Sequence, residues 1–100
     1  MENFRTFNLA VEFHQSSEQI KLPRFKRDQL SRASYSVALN LAEGRGKHTL
    51  KEQKRFFHIA MGSLRECQAI LTIEKMKESA EWLLLDKLGA HLYKLIQQAG

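Results

Sequence analysis

Phe57, Ala60, Leu64, Cys67 and Leu71 follow one another at alternating steps of three and four residues. That rhythm puts one apolar stripe along an α-helix, and the stripe must be buried against another element. Leu30, Ala33, Val37 and Leu41 repeat the pattern upstream, and Leu85, Leu88, Leu92, Leu95 and Ala99 repeat it downstream. Two-residue alternation is nowhere sustained and β-branched residues are sparse, so strands find no support. A chain of this kind has to satisfy itself by packing helix on helix.

Boundary signals divide the chain into four helices. A first helix over about residues 3–20 has Phe4, Phe7 and Val11 on one stripe. Pro23, the only proline, breaks the chain within Leu22-Pro23-Arg24-Phe25. A second helix over about residues 26–43 is expected to end at Gly44-Arg45-Gly46, through the left-handed cap conformation that glycine adopts readily. Thr49, with Glu52 three residues later, forms a capping box and starts the third helix. Ser79 is the expected N-cap of the fourth. Short loops joining four amphipathic helices give an antiparallel four-helix bundle, an all-α single domain over residues 1–100.

Two helices carry apolar residues on more than one side. Tyr35, Leu39 and Ala42 lie roughly 120–180° around the second helix from its Leu30/Val37/Leu41 stripe. On the first helix, Leu9, Phe13 and Ile20 lie opposite Phe4, Phe7 and Val11. A helix apolar on both sides is normally covered on both sides. Assembly into a cyclic homo-oligomer through Tyr35/Leu39/Ala42 or Leu9/Phe13 accounts for this, and scattered exposed apolar residues are the plainer alternative.

Arg32, Ser36, Asn40 and Glu43 fall on one strip of the second helix. A strip mixing a cation, a hydroxyl, an amide and a carboxylate is either a site or a hydrogen-bonded seam that fixes how helices or subunits register, and the seam is the commoner case. Gly62-Ser63 in the third helix fits the seam, because a mid-helix glycine costs about 1 kcal/mol relative to alanine and close backbone approach is its usual justification.

Charge is distributed unevenly. The net +5 comes from residues 21–55, where ten basic residues meet three acids, while residues 56–100 balance five against five. On the third helix Lys51, Lys54, Arg55, His58 and Arg65 share about 100° of arc opposite the core stripe. The rise from Lys51 to Arg65 is about 21 Å, enough to follow several phosphates. No acid interrupts that face, although surface helices usually intersperse Glu with Lys. Arg45 and Lys47 precede it in the turn. A face of this kind points to nucleic acid, or else to an idle solvated surface or an acidic protein. Tyr35, Trp82 and Tyr93 are the aromatic candidates for base stacking.

Other chemistry is weakly supported. Cys67 sits in a core stripe, where a small inert hydrophobe is the common case. His14, His48, His58 and His91 have no cysteine or carboxylate partner at ligand spacing, so no metal and no cofactor is expected. Gly44-Arg45-Gly46-Lys47 lacks the preceding strand and the spacing of a phosphate loop. The expectation is a protein without catalytic residues. One cysteine, no apolar run near ~18 residues and a polar Met1-Glu2-Asn3-Phe4-Arg5 start lead to an expected cytoplasmic location, away from membranes.

The segment Arg32-Ala33-Ser34-Tyr35-Ser36-Val37-Ala38-Leu39-Asn40-Leu41-Ala42-Glu43-Gly44, followed by Lys51-Glu52-Gln53-Lys54-Arg55-Phe56-Phe57-His58-Ile59-Ala60-Met61-Gly62-Ser63-Leu64-Arg65-Glu66, resembles one family. It is the four-helix-bundle family of proteins encoded in intervening sequences of bacterial 23S rRNA genes. The accessory variability determinant proteins of diversity-generating retroelements are similar to that family, and the run from Leu64 to Leu71 leans toward them. The Leu71–Leu84 stretch is shorter than the ribosomal branch has. The resemblance implies a homopentamer, contact with nucleic acid, RNA before DNA, no catalysis and, from the retroelement side, a reverse transcriptase as protein partner. Arg32, Ser36, Asn40, Glu43, Gly44, Gly62, Ser63 and Glu66 match its signature.

Overall fold

A computed structural model describes residues 2–99, with side chains from residue 4 to residue 99. Its helices are α1 (Glu2–Ser17), α2 (Arg24–Arg45), α3 (Leu50–Ile73) and α4 (Ala80–Gln98), and no strand occurs among the described residues. Helix α2 packs against α1 and α3, α3 also packs against α4, and α4 closes the ring on α1. The result is an antiparallel bundle of about 41 × 22 × 18 Å.

Local chemistry sets the ends. Thr49 Oγ1 accepts the Glu52 backbone N–H at 3.1 Å, and Ser79 Oγ accepts that of Trp82 at 3.1 Å, so both expected caps form. Pro23 stands at the N-cap of α2 with φ −53°, its carbonyl accepting from the Lys26 and Arg27 N–H groups. The α3–α4 turn has no glycine or proline to mark it. The Met76 N–H reaches the Leu71 carbonyl at 2.8 Å and the Lys75 N–H reaches Thr72 at 3.1 Å. This is a Schellman closure with Lys75, at φ 60°, in the left-handed position usually given to glycine.

The stripes read for α2, α3 and α4 are the core: Leu30, Ala33, Val37, Leu41, Phe57, Ala60, Leu64, Cys67, Leu71, Leu85, Leu88, Leu92, Leu95 and Ala99 are all buried. On α1 the expectation fails. Leu9, Ala10, Phe13 and Ile20 point into the core, whereas Phe4 is 47% exposed and Phe7 and Val11 are half-buried. Leu9 and Phe13 therefore cannot form an intersubunit stripe. The inward face of α1 also includes Thr6 and Ser17, both buried, and these polar residues disguise it in the sequence. Ser17 is satisfied by donating to the His14 carbonyl at 2.8 Å.

The glycines depart from their expected roles. α2 ends at Arg45 with Gly46 as its C-cap, but at φ −84° rather than left-handed; Gly44 is buried inside the helix, and no glycine among the described residues has positive φ. A Cβ at Gly44 would lie 2.7 Å from Phe57 Cε1 and 3.0 Å from Phe56 Cβ, so its absence lets α2 and α3 close together. Gly62, expected to permit close approach, is exposed, with nothing within 4 Å of the position a Cβ would take.

Polar seams flank α2. Toward α3, Ser36 and Ser63 pair hydroxyls at 2.8 Å, and Asn40 Nδ2 donates to the Ser36 carbonyl at 2.9 Å and its hydroxyl at 3.1 Å. Arg32 and Glu43 are exposed and stand outside that seam, Glu43 lying 3.9 Å from Lys47 instead. Toward α1, His14 Nδ1 bonds Ser34 Oγ at 2.7 Å, and Ser34 lies 3.3 Å from Ser17 Oγ. Between α3 and α4, by contrast, no side-chain hydrogen bond or ion pair occurs among the described residues. That seam is leucine against Phe57, Leu64 and Leu71.

Candidate nucleic-acid interface

The sequence places the cations of α3 outward because the inward positions are taken by the Phe57/Leu64/Leu71 stripe, half a turn away. Lys51, Arg55, His58 and Arg65 are exposed and Lys54 is half-buried. Among the described residues the ion pairs within 4 Å are Lys26–Glu74 at 3.0 Å and Lys47–Glu43 at 3.9 Å. Lys51, Lys54, Arg55 and Arg65 have no carboxylate at that distance. Four unneutralised cations on one helix face raise a positive potential that attracts polyanions and can bond phosphate oxygens.

The two turn residues are placed differently. Arg45 holds its guanidinium 4.9 Å from the Phe4 ring, on α1, and Lys47 lies 5.1 Å from the Phe56 ring. Arg55 flanks the same Phe56 ring at 5.8 Å. Lys47 thus meets Arg55 on one ring of α3, whereas Arg45 is held against α1.

Two depressions mark the surface. One, of about 300 Å³ between α1 and α2, is lined by Phe7, Val11, His14, Tyr35, Ala38 and Leu39 among others. Tyr35 is 56% exposed and Leu39 47%, so the second apolar stripe of α2 is on the surface as its spacing indicates. The His14 ring meets Tyr35 edge-on at 5.7 Å. The other depression, about 260 Å³ between α3 and α4, brings Arg65 together with Gln68, Asp86, Gly89 and Tyr93. Sequence reading finds Arg65 and Tyr93 separately; Gln68, Asp86 and Gly89 carry no motif, and only helix packing joins them. Trp82, the other aromatic candidate on α4, is half-buried with Lys77 Nζ 5.6 Å from its ring.

Cys67 is buried, and burial, reinforced by the neighbouring Glu66 carboxylate, pushes its thiol up to about 12. A thiol so far from ionisation is a packing group. Among the described residues no cluster of three or more His, Cys, Asp and Glu is arranged to hold a metal ion, and no helix is long and apolar enough to cross a membrane.

The fold and this surface define a basic all-α four-helix bundle with one cation face that lacks counter-charges. The sequence model of the 23S rRNA-intervening sequence proteins matches residues 4–98, and the chain belongs to that family. No curated protein and no solved structure matches it.

Proposed function

We propose that this protein is a non-enzymatic, homo-oligomeric nucleic-acid-binding protein of the cytoplasm that holds RNA, and less selectively DNA, through its phosphates. The observation that carries the proposal is the α3 face, where Lys51, Lys54, Arg55 and Arg65 stand without a carboxylate within 4 Å. Arg45 and Lys47 extend it at the α2–α3 turn. The family's name, which refers to ribosomal RNA, agrees with this class of ligand. Self-association draws support from the apolar groove between α1 and α2 with its exposed Tyr35 and Leu39. Five as the number of copies, and a reverse transcriptase as protein partner, rest on the likeness to retroelement accessory proteins. A ring would repeat the cation face in every subunit, so that modest contacts sum to tight binding.

Titration of labelled structured RNA at two salt concentrations tests the reading. Counterion release makes log affinity fall linearly with log salt, by roughly 0.7–0.9 per phosphate neutralised. Reversing Lys51, Lys54 and Arg55 together to Glu should weaken binding to every sequence alike and flatten that slope, with helix content unchanged. Wild-type protein that ignores RNA and both forms of DNA at low salt would overturn the proposal and leave an acidic protein as the partner of this face.

A further inference from the structure

The depression between α3 and α4 has the composition of a base-binding site rather than of a packing defect. Its floor is apolar, formed by Met61 and Leu64 opposite Gly89, where a Cβ would stand 3.6 Å from Leu64. Its rim is polar and unspent: Arg65 and Asp86 both line it, yet they do not come within the 4 Å of an ion pair. Gln68 adds an amide that can both donate and accept. Tyr93 supplies a ring that is 57% exposed, and its hydroxyl accepts a hydrogen bond from Gln97 Nε2 at 3.1 Å. A cation and a carboxylate kept apart over an apolar floor, beside an exposed aromatic ring, leave room for a flat ligand with its own donors and an attached anion.

We infer that this depression is a guanine subsite, taking an unpaired guanine of the RNA strand held on the α3 face, or the same base of a free nucleotide. The inference rests on the nucleic-acid reading and gives it a base preference. Unstacked bases of single-stranded RNA are read by aromatic rings and by hydrogen bonds to their edges. An ionised carboxylate only accepts. Of the four RNA bases, guanine alone offers two adjacent N–H donors, N1–H and N2–H, on its Watson–Crick edge and so matches both oxygens of Asp86. Gln68 Nε2 can donate to guanine O6, Tyr93 stacks on the base, and Arg65 takes the phosphate on the side facing Lys51, Lys54 and Arg55. Uracil offers one donor and two acceptors, and it leaves the carboxylate poorly matched.

The test compares r(U)12 with r(GU)6, r(AU)6 and r(CU)6 by fluorescence anisotropy at low salt, using the full-length protein and its Tyr93→Ala and Asp86→Asn variants. The wild type should bind r(GU)6 about tenfold tighter than the others, the scale of one stacked and hydrogen-bonded base. Tyr93→Ala should remove that margin. Asp86→Asn should also remove it while raising affinity for r(U)12, because a charge that repels phosphates has gone. Equal binding of all four RNAs by the wild type, or a guanine margin that survives Asp86→Asn, overturns the subsite and leaves the phosphate reading standing. If the wild type binds none of the RNAs, the phosphate reading falls, and guanosine monophosphate decides the subsite by itself. A shift of the Gly89 amide resonance with guanosine but not uridine monophosphate sustains it, and no shift with either overturns it.

Discussion

Replacing Gly44 and Gly62 by alanine, one at a time, should move stability in opposite directions. Both glycines lie inside helices, so each substitution gains the propensity difference of roughly 0.8–1.0 kcal/mol. At Gly62 nothing lies within 4 Å of the new methyl group, and the gain is kept. For a domain of this length that is a rise in Tm of about 4–8 °C. At Gly44 the methyl group would stand 2.7 and 2.9 Å from two atoms of the Phe57 ring and 3.0 Å from Phe56 Cβ. The Phe57 ring is 1% exposed and has no open space to enter, so α2 and α3 must separate or the ring must leave its rotamer. Overpacking of this kind costs roughly 1–3 kcal/mol, and here it falls at the upper end because two contacts lie under 3.0 Å. Net of the propensity gain, Gly44→Ala should lose about 1–2 kcal/mol, a fall in Tm of the order of 10 °C. Thermal denaturation at matched protein concentration reads both, since an oligomer's Tm depends on concentration. A Gly44→Ala variant more stable than wild type would refute the close-approach argument. A destabilised Gly62→Ala variant would show that a second surface covers that stretch of α3.

Leu64→Ala, a truncation at the centre of the core, should cost roughly 2–5 kcal/mol in urea denaturation. Leu39→Glu puts a charge in the exposed α2 stripe and should dissociate the proposed oligomer, read as a fall in mass by light scattering with the helix signal retained. Because burial raises the Cys67 thiol from an ordinary 9.0 to about 12, the unfolded chain releases this proton first. Stability is then full below pH 9 and declines as pH rises toward 12, by at most about 1.4 kcal/mol per pH unit. The difference between wild type and Cys67→Ala across that range isolates the thiol's share.

The parts of the fold legible in the sequence are those where burial and apolar character coincide. Leu85, Leu88, Leu92 and Leu95 admit one orientation of α4, and the five-residue stripe of α3 admits one of its own. On α1 they part company: Thr6 and Ser17 face inward, while Phe4 is exposed and Phe7 and Val11 border a groove. Spacing reports which residues share a face but not which neighbour covers it. The same gap explains the two glycines, since only the position of Phe57 against α2 tells Gly44 from Gly62. The basic face is legible because one helix holds Lys51, Lys54, Arg55 and Arg65. The α3–α4 depression is not, because Asp86 and Arg65 lie 21 residues apart and meet through packing alone.

Hydroxyl and imidazole contacts hold α2 in register with both α1 and α3, whereas no side-chain hydrogen bond or ion pair joins α4 to α3 among the described residues. Leucine contacts repeating at steps of three and four look alike after a shift of seven residues, so the alignment of α4 rests on the chain connection, the Ser79 cap and, just beyond that cap, the Ser16–Glu81 hydrogen bond to α1 at 3.2 Å. Such a shift would carry Asp86 about 10 Å along α3 and away from Arg65. The end of α4 far from Ser79 is accordingly where amide protons should exchange earliest among the core helices, through openings smaller than global unfolding. A strand of RNA bridging Arg65 and Tyr93 would act as the missing polar key, and its binding should slow that exchange in the last two turns of α4 before it affects α2.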